Sequence, residues 1–346
     1  MDCFQGRILT EDGLIDGYLS AENGIITEIS KGRCPETPMA EGIILPRTVN
    51  AHTHCADGAV KARKGMTLEE LVAPPNGLKH AYLRNATEEE ICRFIGKFAN
   101  DSRVTGTDRF IDFREGGVKG CRMLRETCPD AVILGRPISP EFDPNEIDDI
   151  LEIADGIGIP SLSDMNNRYI EKVADRVREK GKLFAIHVSE RVREDIDEVL
   201  SLDPAFVVHM TEATDGDILK CAEAEVRIVV CARSNQFFGK IPPVKRMLDC
   251  GASITAGTDN AMLCEPDMRA EYSVLMNILS EQGGDPGSAF PSIVSEGRKI
   301  IYKQNTLHLR AGRPSELVVY PCGADENVLK ALSCKDRILT YPATEK

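Results

Sequence analysis

The sequence has no uninterrupted apolar run that approaches the roughly 18–20 residues needed to cross a bilayer. It also has no excess of positive charge, since 55 Asp and Glu outnumber 42 Lys and Arg and give a net charge of −13. Such a chain repels phosphate backbones and anionic membrane surfaces, and no local basic cluster offsets this repulsion. We therefore expect no nucleic-acid partner and no membrane partner. The composition favours a small-molecule substrate.

The amino terminus lacks the basic and apolar regions of a signal peptide. The 12 cysteines are scattered along the chain without the close spacing of a disulfide framework. We therefore expect reduced thiols and a cytoplasmic protein. Tryptophan is absent and aromatic residues make up only 5% of the chain, so the composition does not indicate a dominant interface with another chain.

From residue 43 onward, short apolar runs alternate with amphipathic stretches, which is typical of βα units and a parallel sheet. The apolar runs are 43–49, 107–113, 131–136, 155–159, 183–188, 205–209, 226–231 and 252–257. Eight such units predict a (β/α)8 barrel, also called a TIM barrel. A chain of 346 residues accommodates one barrel of about 250 residues and a smaller appendage. We assign residues 43–308 to the barrel.

Both flanks of the barrel are predicted to contain strands. Residues 1–42 hold short strands separated by turns, including Asn23-Gly24, which is a strong hairpin signal. The runs 317–320 and 338–341 also have strand character. We expect residues 1–42 and 309–346 to form one composite β-sandwich domain built from both termini.

A long segment separates the first two apolar runs, whereas the later runs follow at a shorter and regular spacing. Its excess residues, 55–85, leave the strand that ends at His54. Long loops in compact domains are often lids or binding loops, so we predict a lid over the site, with a surface excursion as the alternative. His80 lies in this segment and is a candidate substrate contact, although a surface position is the alternative.

Side chains suited to metal binding follow several predicted strands. They are His52, His54, His187, His209 and Asp259. His52 and His54 face the same way because side chains alternate along a strand. The carboxyl ends of barrel strands gather at one mouth, so we expect all five side chains to converge there. Three histidines and Asp259 suit zinc, with ferrous iron or manganese as alternatives.

These residues stand in motifs that resemble the amidohydrolase superfamily. The motifs are His52-Thr53-His54, His187-Val188-Ser189-Glu190, His209, Cys231-Ala232-Arg233-Ser234-Asn235 and Gly257-Thr258-Asp259-Asn260. The sequence is most similar to the branch that holds cytosine, guanine and S-adenosylhomocysteine deaminases and the triazine chlorohydrolases. Ala232 departs from the proline that is usual in its motif, which leaves the substrate open.

The resemblance implies roles for the site residues. His52, His54, His187 and Asp259 would bind the metal, and His209 would orient its water or the substrate. Glu190 matches the position that shuttles protons in the deaminase branch. Binuclear members carry a carboxylated lysine after the fourth strand, whereas this strand is followed by Pro160-Ser161, so we expect one divalent metal per chain. A homo-oligomer is expected from the resemblance alone.

The reaction implied is hydrolytic deamination of an aminated heterocycle, such as an aminopurine, an aminopyrimidine, a nucleoside or a pterin. The metal would lower the pKa of its bound water toward ~7, and Asp259, alone or with His209, would take up the proton as hydroxide attacks. Glu190 would protonate the ring nitrogen and then the leaving ammonia. The alternatives are hydrolysis of an amide, a cyclic amidine or a halide at the same metal, and, less favoured, a binding protein without catalysis.

Three further residues are candidate substrate contacts. Arg114 and Glu115 follow the second strand and could bind a carboxylate, a phosphate or an amino group, or could pair with each other. Asn235 follows the seventh strand and either contacts the substrate or caps a loop.

Overall fold

The computed structural model describes residues 1–72, 76–302, 307–322, 331–332 and 338–341. Two sheets organise this part of the chain, a six-stranded sheet built from both ends and a nine-stranded parallel sheet between them. None of the helices in these ranges is long and apolar enough to cross a membrane.

The six-stranded sheet combines four strands from the beginning of the chain with two from its end. They are β1 (Asp2–Thr10), β2 (Gly13–Glu22), β3 (Ile25–Lys31), β4 (Ala40–Pro46), β14 (Leu317–Tyr320) and β15 (Leu339–Tyr341). Their order is β15-β14-β4-β1-β2-β3, and only β1 and β4 run parallel. Both ends of the chain thus contribute strands to one sheet. Within the described residues the unit is a single sheet, so the sandwich is not confirmed.

Cys3 and Cys34 are joined by a disulfide bond within this sheet unit. The expectation that all thiols are reduced is therefore wrong for this pair. The Gln5 side chain accepts a hydrogen bond from the Cys34 backbone N–H at 2.8 Å and donates to the Gly32 carbonyl at 3.1 Å. These contacts hold the chain after β3 against β1, which brings together two cysteines that are 31 residues apart in the sequence.

The parallel sheet contains the predicted apolar runs. Its strands are β5 (Thr48–His54), β6 (Thr107–Arg114), β7 (Val132–Gly135), β8 (Gly156–Ile159), β9 (Leu183–Val188), β10 (Phe206–His209), β11 (Arg227–Val230), β12 (Ile254–Ala256) and β13 (Asp259–Asn260). Neighbours in sequence pair in order from β5 to β12, and β13 pairs with β5. The sheet therefore curls until its two edges meet across Gly257 and Thr258.

Helices lie between consecutive parallel strands and near the ends of the sheet. They are α1 (Leu68–Leu71), α2 (Leu78–Asn85), α3 (Glu88–Val104), α4 (Gly117–Thr127), α5 (Pro144–Ile153), α6 (Asn167–Glu179), α7 (Ile196–Ser201), α8 (Asp215–Glu223), α9 (Ala232–Phe237), α10 (Val244–Asp249), α11 (Met268–Glu281) and α12 (Gly297–Ile301). Short 3-10 turns span Leu162–Asp164 and Pro286–Ala289, and a π-helical turn spans Ser292–Glu296. The largest apolar cluster lies between these helices and the sheet, and a second fills the inside of the curled sheet.

Helix starts follow from local sequence. The Thr87 hydroxyl accepts a hydrogen bond from the Glu90 backbone N–H at the start of α3, and Thr214 does the same for Asp217 at the start of α8. Both helices carry acidic residues in their first turn, where the helix dipole favours negative charge. These caps fix where each helix leaves the preceding loop and hence how the strands on either side are spaced.

The apolar run 43–49, expected to be the first strand of the parallel sheet, is divided between two sheets. Its first residues belong to β4, which pairs with β1 and β14, and its last residues begin β5. Arg47 alone separates the two strands. The apolar residues on either side of Arg47 are buried in different cores.

The seam between the two edges of the parallel sheet is closed by side chains. The Asn50 side-chain Nδ2 donates to the Thr258 hydroxyl at 2.7 Å. The Thr258 backbone N–H donates to the side-chain Oδ1 of Asn50 at 3.0 Å. Both residues are fully buried. A Cβ atom on Gly257 would lie 2.7 Å from the Cβ of His52, so glycine permits the close approach.

Replacing Asn50 with alanine should lower the free energy of unfolding by about 2 kcal/mol, because two buried hydrogen bonds are lost and Thr258 keeps an unpaired group. Urea titration followed by circular dichroism measures this. Asn85→Ala, which removes an exposed amide contact on α2, is the matched control and should change the value by no more than about 0.5 kcal/mol. Equal effects of the two substitutions would contradict the role of the seam.

Candidate active site

The structure brings together the five side chains that the sequence analysis singled out. His52 and His54 lie on β5, His187 on β9 and His209 at the end of β10, while Asp259 opens β13. The candidate ligand atoms form two sets, and within each set all atoms lie within 4.8 Å of one another. One set comes from His52, His54 and His187, and the other from His52, His209 and Asp259. His52 belongs to both sets, so it stands at the centre of the cluster.

The distances between these atoms are short. His52 Nε2 lies 3.3 Å from His187 Nε2 and 3.3 Å from Asp259 Oδ1. Asp259 Oδ1 also lies 3.7 Å from His54 Nε2. The ring of Phe113 packs edge-on against His52 and His187, with centroid distances of 4.5 and 4.8 Å. The cluster therefore has an apolar floor that keeps water away from one side.

The backbone at the strand ends is held in an unusual conformation. Ser189, His209, Met210 and Asp259 all have positive φ angles, between 50° and 76°. Residues with a Cβ rarely adopt this left-handed conformation, which costs free energy and occurs where the surrounding structure enforces it. At His209 and Asp259 this turn sets the direction of a side chain that belongs to the cluster.

Partners behind them orient His54, His187 and Asp259. His187 Nδ1 lies 2.9 Å from the Ile159 carbonyl oxygen, and His54 Nδ1 lies 3.0 Å from the Phe113 carbonyl oxygen. Donation from Nδ1–H leaves the Nε2 lone pair free to face the centre. The Ser234 hydroxyl donates to Asp259 Oδ2 at 2.5 Å, which directs Oδ1 toward the histidines.

The protonation state of most histidines in this cluster favours cation binding. Burial lowers the pKa of His52 and of His209 to about 4, and burial together with the neighbouring imidazoles lowers that of His187 well below its ordinary value. Burial and Lys79 lower the pKa of His54 as well, but the Glu115 and Asp259 carboxylates outweigh them and the net shift is upward. Neutral imidazole is the form that binds metals. The donor set of buried imidazoles and one carboxylate therefore fits a divalent cation such as zinc.

Glu190 lies beside the cluster in the wall of the same cavity. Its Oε2 is 3.6 Å from His209 Nε2. Burial, with a contribution from the Asp259 carboxylate, raises the pKa of Glu190 to about 8. The carboxyl group is therefore protonated near neutral pH and is able to donate a proton into the cavity.

The cavity that opens onto the cluster is lined by residues from several loops, and three of them are cationic, namely Lys79, Arg136 and Arg191. Lys79 pairs with Glu115, and Arg191 lies near Glu69 and Asp164. Arg136 follows β7, is partly buried, and makes no side-chain hydrogen bond or ion pair with any residue that the structure describes. It is the lining residue best placed to meet a negative group on a ligand.

The candidate substrate contacts are placed differently from one another. Arg114 is 2% exposed and its Nε donates to the Gly120 carbonyl, with Glu115 Oε2 3.8 Å from Nη1. Glu115 lies 2.9 Å from His54 Nδ1 and thus behind the cluster. Asn235 Nδ2 lies 3.3 Å from His209 Nδ1, and His80 Nε2 lies 3.1 Å from the Val72 carbonyl. None of the four lines the cavity described above.

No family model matches the chain, but relatives are found. A protein of Methanothermobacter thermautotrophicus named "Putative aminohydrolase" is 30% identical over 287 residues, which cover 75% of this chain and 75% of that one. A 5-methylthioadenosine/S-adenosylhomocysteine deaminase of Caldicellulosiruptor saccharolyticus is 26% identical over 298 residues, 73% of this chain and 67% of that one. The chain belongs to the amidohydrolase superfamily.

Solved structures of other amidohydrolases have the same fold. An adenosine deaminase from Xanthomonas campestris with bound zinc superposes with a TM-score of 0.76, at 15% identity, over 99% of this chain and 91% of that one. A guanine deaminase from C. acetobutylicum with guanine in its active site gives 0.71, at 16% identity, over 96% and 94%. The resemblance noted in the sequence motifs is thus confirmed at the level of the family and of the α/β architecture.

Three residues at the amidohydrolase site were not found by sequence analysis. Lys79 was passed over in favour of its neighbour His80, because histidine is the commoner active-site residue. Arg136 follows the short β7, and nothing in its sequence context separates it from an ordinary surface arginine. Ser234 lies within a motif that was noted, but its contact with Asp259 depends on how α9 begins after β11.

Replacing His187 with alanine should lower the zinc content of the amidohydrolase at least about tenfold, because a ligand of the cluster is removed. His80→Ala is the matched control, since the His80 ring bonds to the Val72 carbonyl and lies outside the cluster, and it should keep the zinc content of the unaltered protein. Elemental analysis of protein dialysed against a weak chelator measures both. Loss of zinc from both variants alike, or from neither, would contradict this assignment.

Proposed function

We propose that this amidohydrolase is a metal-dependent hydrolase of C–N bonds that deaminates an aminated heterocycle. We also propose that the curled sheet and its helices are a (β/α)8 barrel covering residues 43–308, with the composite unit of residues 1–42 and 309–346 at its side. The observation that carries the function is the convergence of four histidines and Asp259 in one cluster, with Glu190 in the wall of the cavity that opens onto it.

The metal proposed is a single divalent cation, with zinc preferred over iron or manganese. His52, His54, His187 and Asp259 would hold it, and His209 would stand beside it. A single cation is favoured because β8 ends at Ile159 and is followed by Pro160 and Ser161, where binuclear members of the family carry a lysine. When bound, such a cation activates water as a Lewis acid.

The protein side chains would move the protons. Asp259 Oδ1 lies 3.3 Å from His52 Nε2 and faces the centre of the cluster, so it would take up the proton of the attacking water, alone or with His209. Glu190 would deliver the proton of its partly buried carboxyl to a ring nitrogen, and would then pass the proton of the newly added hydroxyl group to the leaving ammonia. The proton taken up by Asp259 would restore the carboxyl of Glu190. His209 would be kept in place by Asn235, which lies 3.3 Å behind it.

The substrate class follows from the charges in the cavity wall. Arg136 makes no side-chain hydrogen bond or ion pair within the described part of the chain, and a partly buried guanidinium binds carboxylates and phosphates well. We infer that the heterocycle carries an anionic substituent, a carboxylate or a phosphate, remote from the amino group. Arg114, the arginine considered for this role from the sequence, is buried against Gly120 and Glu115 instead.

A panel assay for ammonia release tests the function. The zinc-loaded protein is given aminopurines, aminopyrimidines, their nucleosides and pterins, each as a neutral form and as a form with a carboxylate or phosphate. We expect turnover within one class and a larger kcat/KM for its anionic form. No release from any compound, with one zinc bound per chain, would reject deamination and favour hydrolysis of an amide, an amidine or a halide at the same site.

Glu190→Gln should lower kcat on the compound identified by about 10²–10⁴-fold, because the amide cannot deliver a proton. Zinc content should be unchanged, since Glu190 is not among the proposed ligands. Glu212→Gln, which alters a carboxylate paired with Lys240, is the control and should keep kcat within about twofold. A Glu190→Gln variant with full activity would exclude the proton-transfer role.

A further inference from the structure

Lys79 is a buried lysine in a segment that sequence analysis treated as a covering loop. It lies in the first turn of α2, and only 3% of its surface is exposed. Lysine is rarely buried to this degree unless it is paired, because removing an ammonium group from water is costly. The segment that contains α2 is therefore held down by a charged side chain that points into the protein.

The partner of Lys79 is Glu115, from the loop after β6. Nζ lies 2.7 Å from Glu115 Oε1, and both side chains are buried. The same Oε1 atom lies 2.9 Å from His54 Nδ1. Glu115 thus stands between the lysine of α2 and a histidine of the cluster. His54 Nδ1 bonds to the Phe113 carbonyl, and the negative charge of Glu115 beside it raises the basicity of the ring.

Lys79 is the closest cation to the Glu115 carboxylate, with Nζ 2.7 Å from Oε1 against 2.9 Å for His54 Nδ1. Arg114 Nη1 lies 3.8 Å from Glu115 Oε2 and its Nε is taken by the Gly120 carbonyl. Although burial opposes ionisation, Lys79 and His54 hold the pKa of Glu115 well below its usual range. Without the ammonium group the buried carboxylate would keep only the more distant guanidinium and the imidazole as partners.

A second polar contact, between α1 and the loop after β9, is of a different kind. Arg191 Nη1 lies 3.2 Å from Glu69 Oε1 on α1, but both side chains are well exposed. Exposed pairs of this sort contribute little. His80 bonds to the Val72 carbonyl within the segment itself. The buried Lys79–Glu115 pair is therefore the polar contact expected to matter for the docking of α2.

We propose that Lys79 is a positioning residue that couples the docking of α2 to the metal centre through Glu115 and His54. This inference rests on the metal site of the proposed function. Because coupling between two equilibria is reciprocal, the docked helix strengthens metal binding, and metal binding holds the helix in its docked position. The helix α2, which carries Lys79, is then a part of the metal site.

The test measures zinc affinity and hydrogen exchange on the same proteins. Zinc affinity is determined by competition with a chromophoric chelator, and exchange is followed for the backbone of residues 78–85 in zinc-free and zinc-loaded protein. In the unaltered chain we expect zinc to slow exchange in α2. Lys79→Met should weaken zinc binding by about 10–100-fold and remove the effect of zinc on exchange in α2.

Glu69→Gln is the matched control, because it breaks the exposed contact of the same segment. It should leave zinc affinity and the zinc-dependent exchange of α2 unchanged. Glu115→Gln, alone and combined with Lys79→Met, extends the test should the lysine variant fold poorly. The neutral side-chain amide of Glu115→Gln does not need Lys79 as a partner. The double variant should therefore bind zinc no more weakly than the weaker of the two single variants. Such non-additivity is expected of residues that act together.

The outcomes separate the two proposals. Zinc affinity within about twofold of the unaltered chain in Lys79→Met, with exchange of α2 still slowed by zinc, would overturn the coupling and leave the metal site intact. Additive losses from Lys79→Met and Glu115→Gln would also overturn it. Failure of the unaltered chain to bind zinc, or any other divalent cation tested in the same competition, would reject the metal site and the coupling with it.

Discussion

The structure depends on one electrostatic constraint: four imidazoles and a carboxylate share a small volume that water scarcely reaches. Such a cluster is stable only if the histidines are neutral and their lone pairs find a positive partner. Burial supplies the first condition for His52, His187 and His209, with the pKa of His52 held near 4, and the Asp259 carboxylate adds negative charge at the centre. The surrounding strands and their contacts offset the free-energy cost of burying these polar groups close together.

Holding them together takes several kinds of contact. The Asn50–Thr258 pair fixes the seam from which Asp259 emerges, and Gly257 lets that seam pass close to His52. Carbonyl groups at the ends of β6 and β8 orient His54 and His187. The apolar ring of Phe113 seals the floor. Each of these groups lies on a strand or at its end, where backbone positions are well defined.

The sequence allowed the fold and the centre of the site to be predicted because both follow local rules. Apolar runs mark strands, alternation along a strand places His52 and His54 on one face, and parallel strands bring their carboxyl ends to one edge. The division of the run 43–49 at Arg47 could not be predicted, since hydropathy does not tell which of two cores buries a residue. The Cys3–Cys34 bond, the place of Arg136 in the cavity wall and the burial of Lys79 depend on contacts between segments that are distant in the sequence, and no periodicity reports them.

The left-handed backbone at Ser189, His209, Met210 and Asp259 has an evolutionary consequence. Glycine is the residue that best tolerates such φ angles, and at two of these positions glycine would also delete a side chain of the cluster. Selection for thermal stability alone would therefore favour glycine at these positions, whereas selection for turnover would retain the present residues. Related sequences that have lost catalytic activity should show substitutions first at these strand ends. The strained backbone can relax there once the side chain is no longer needed.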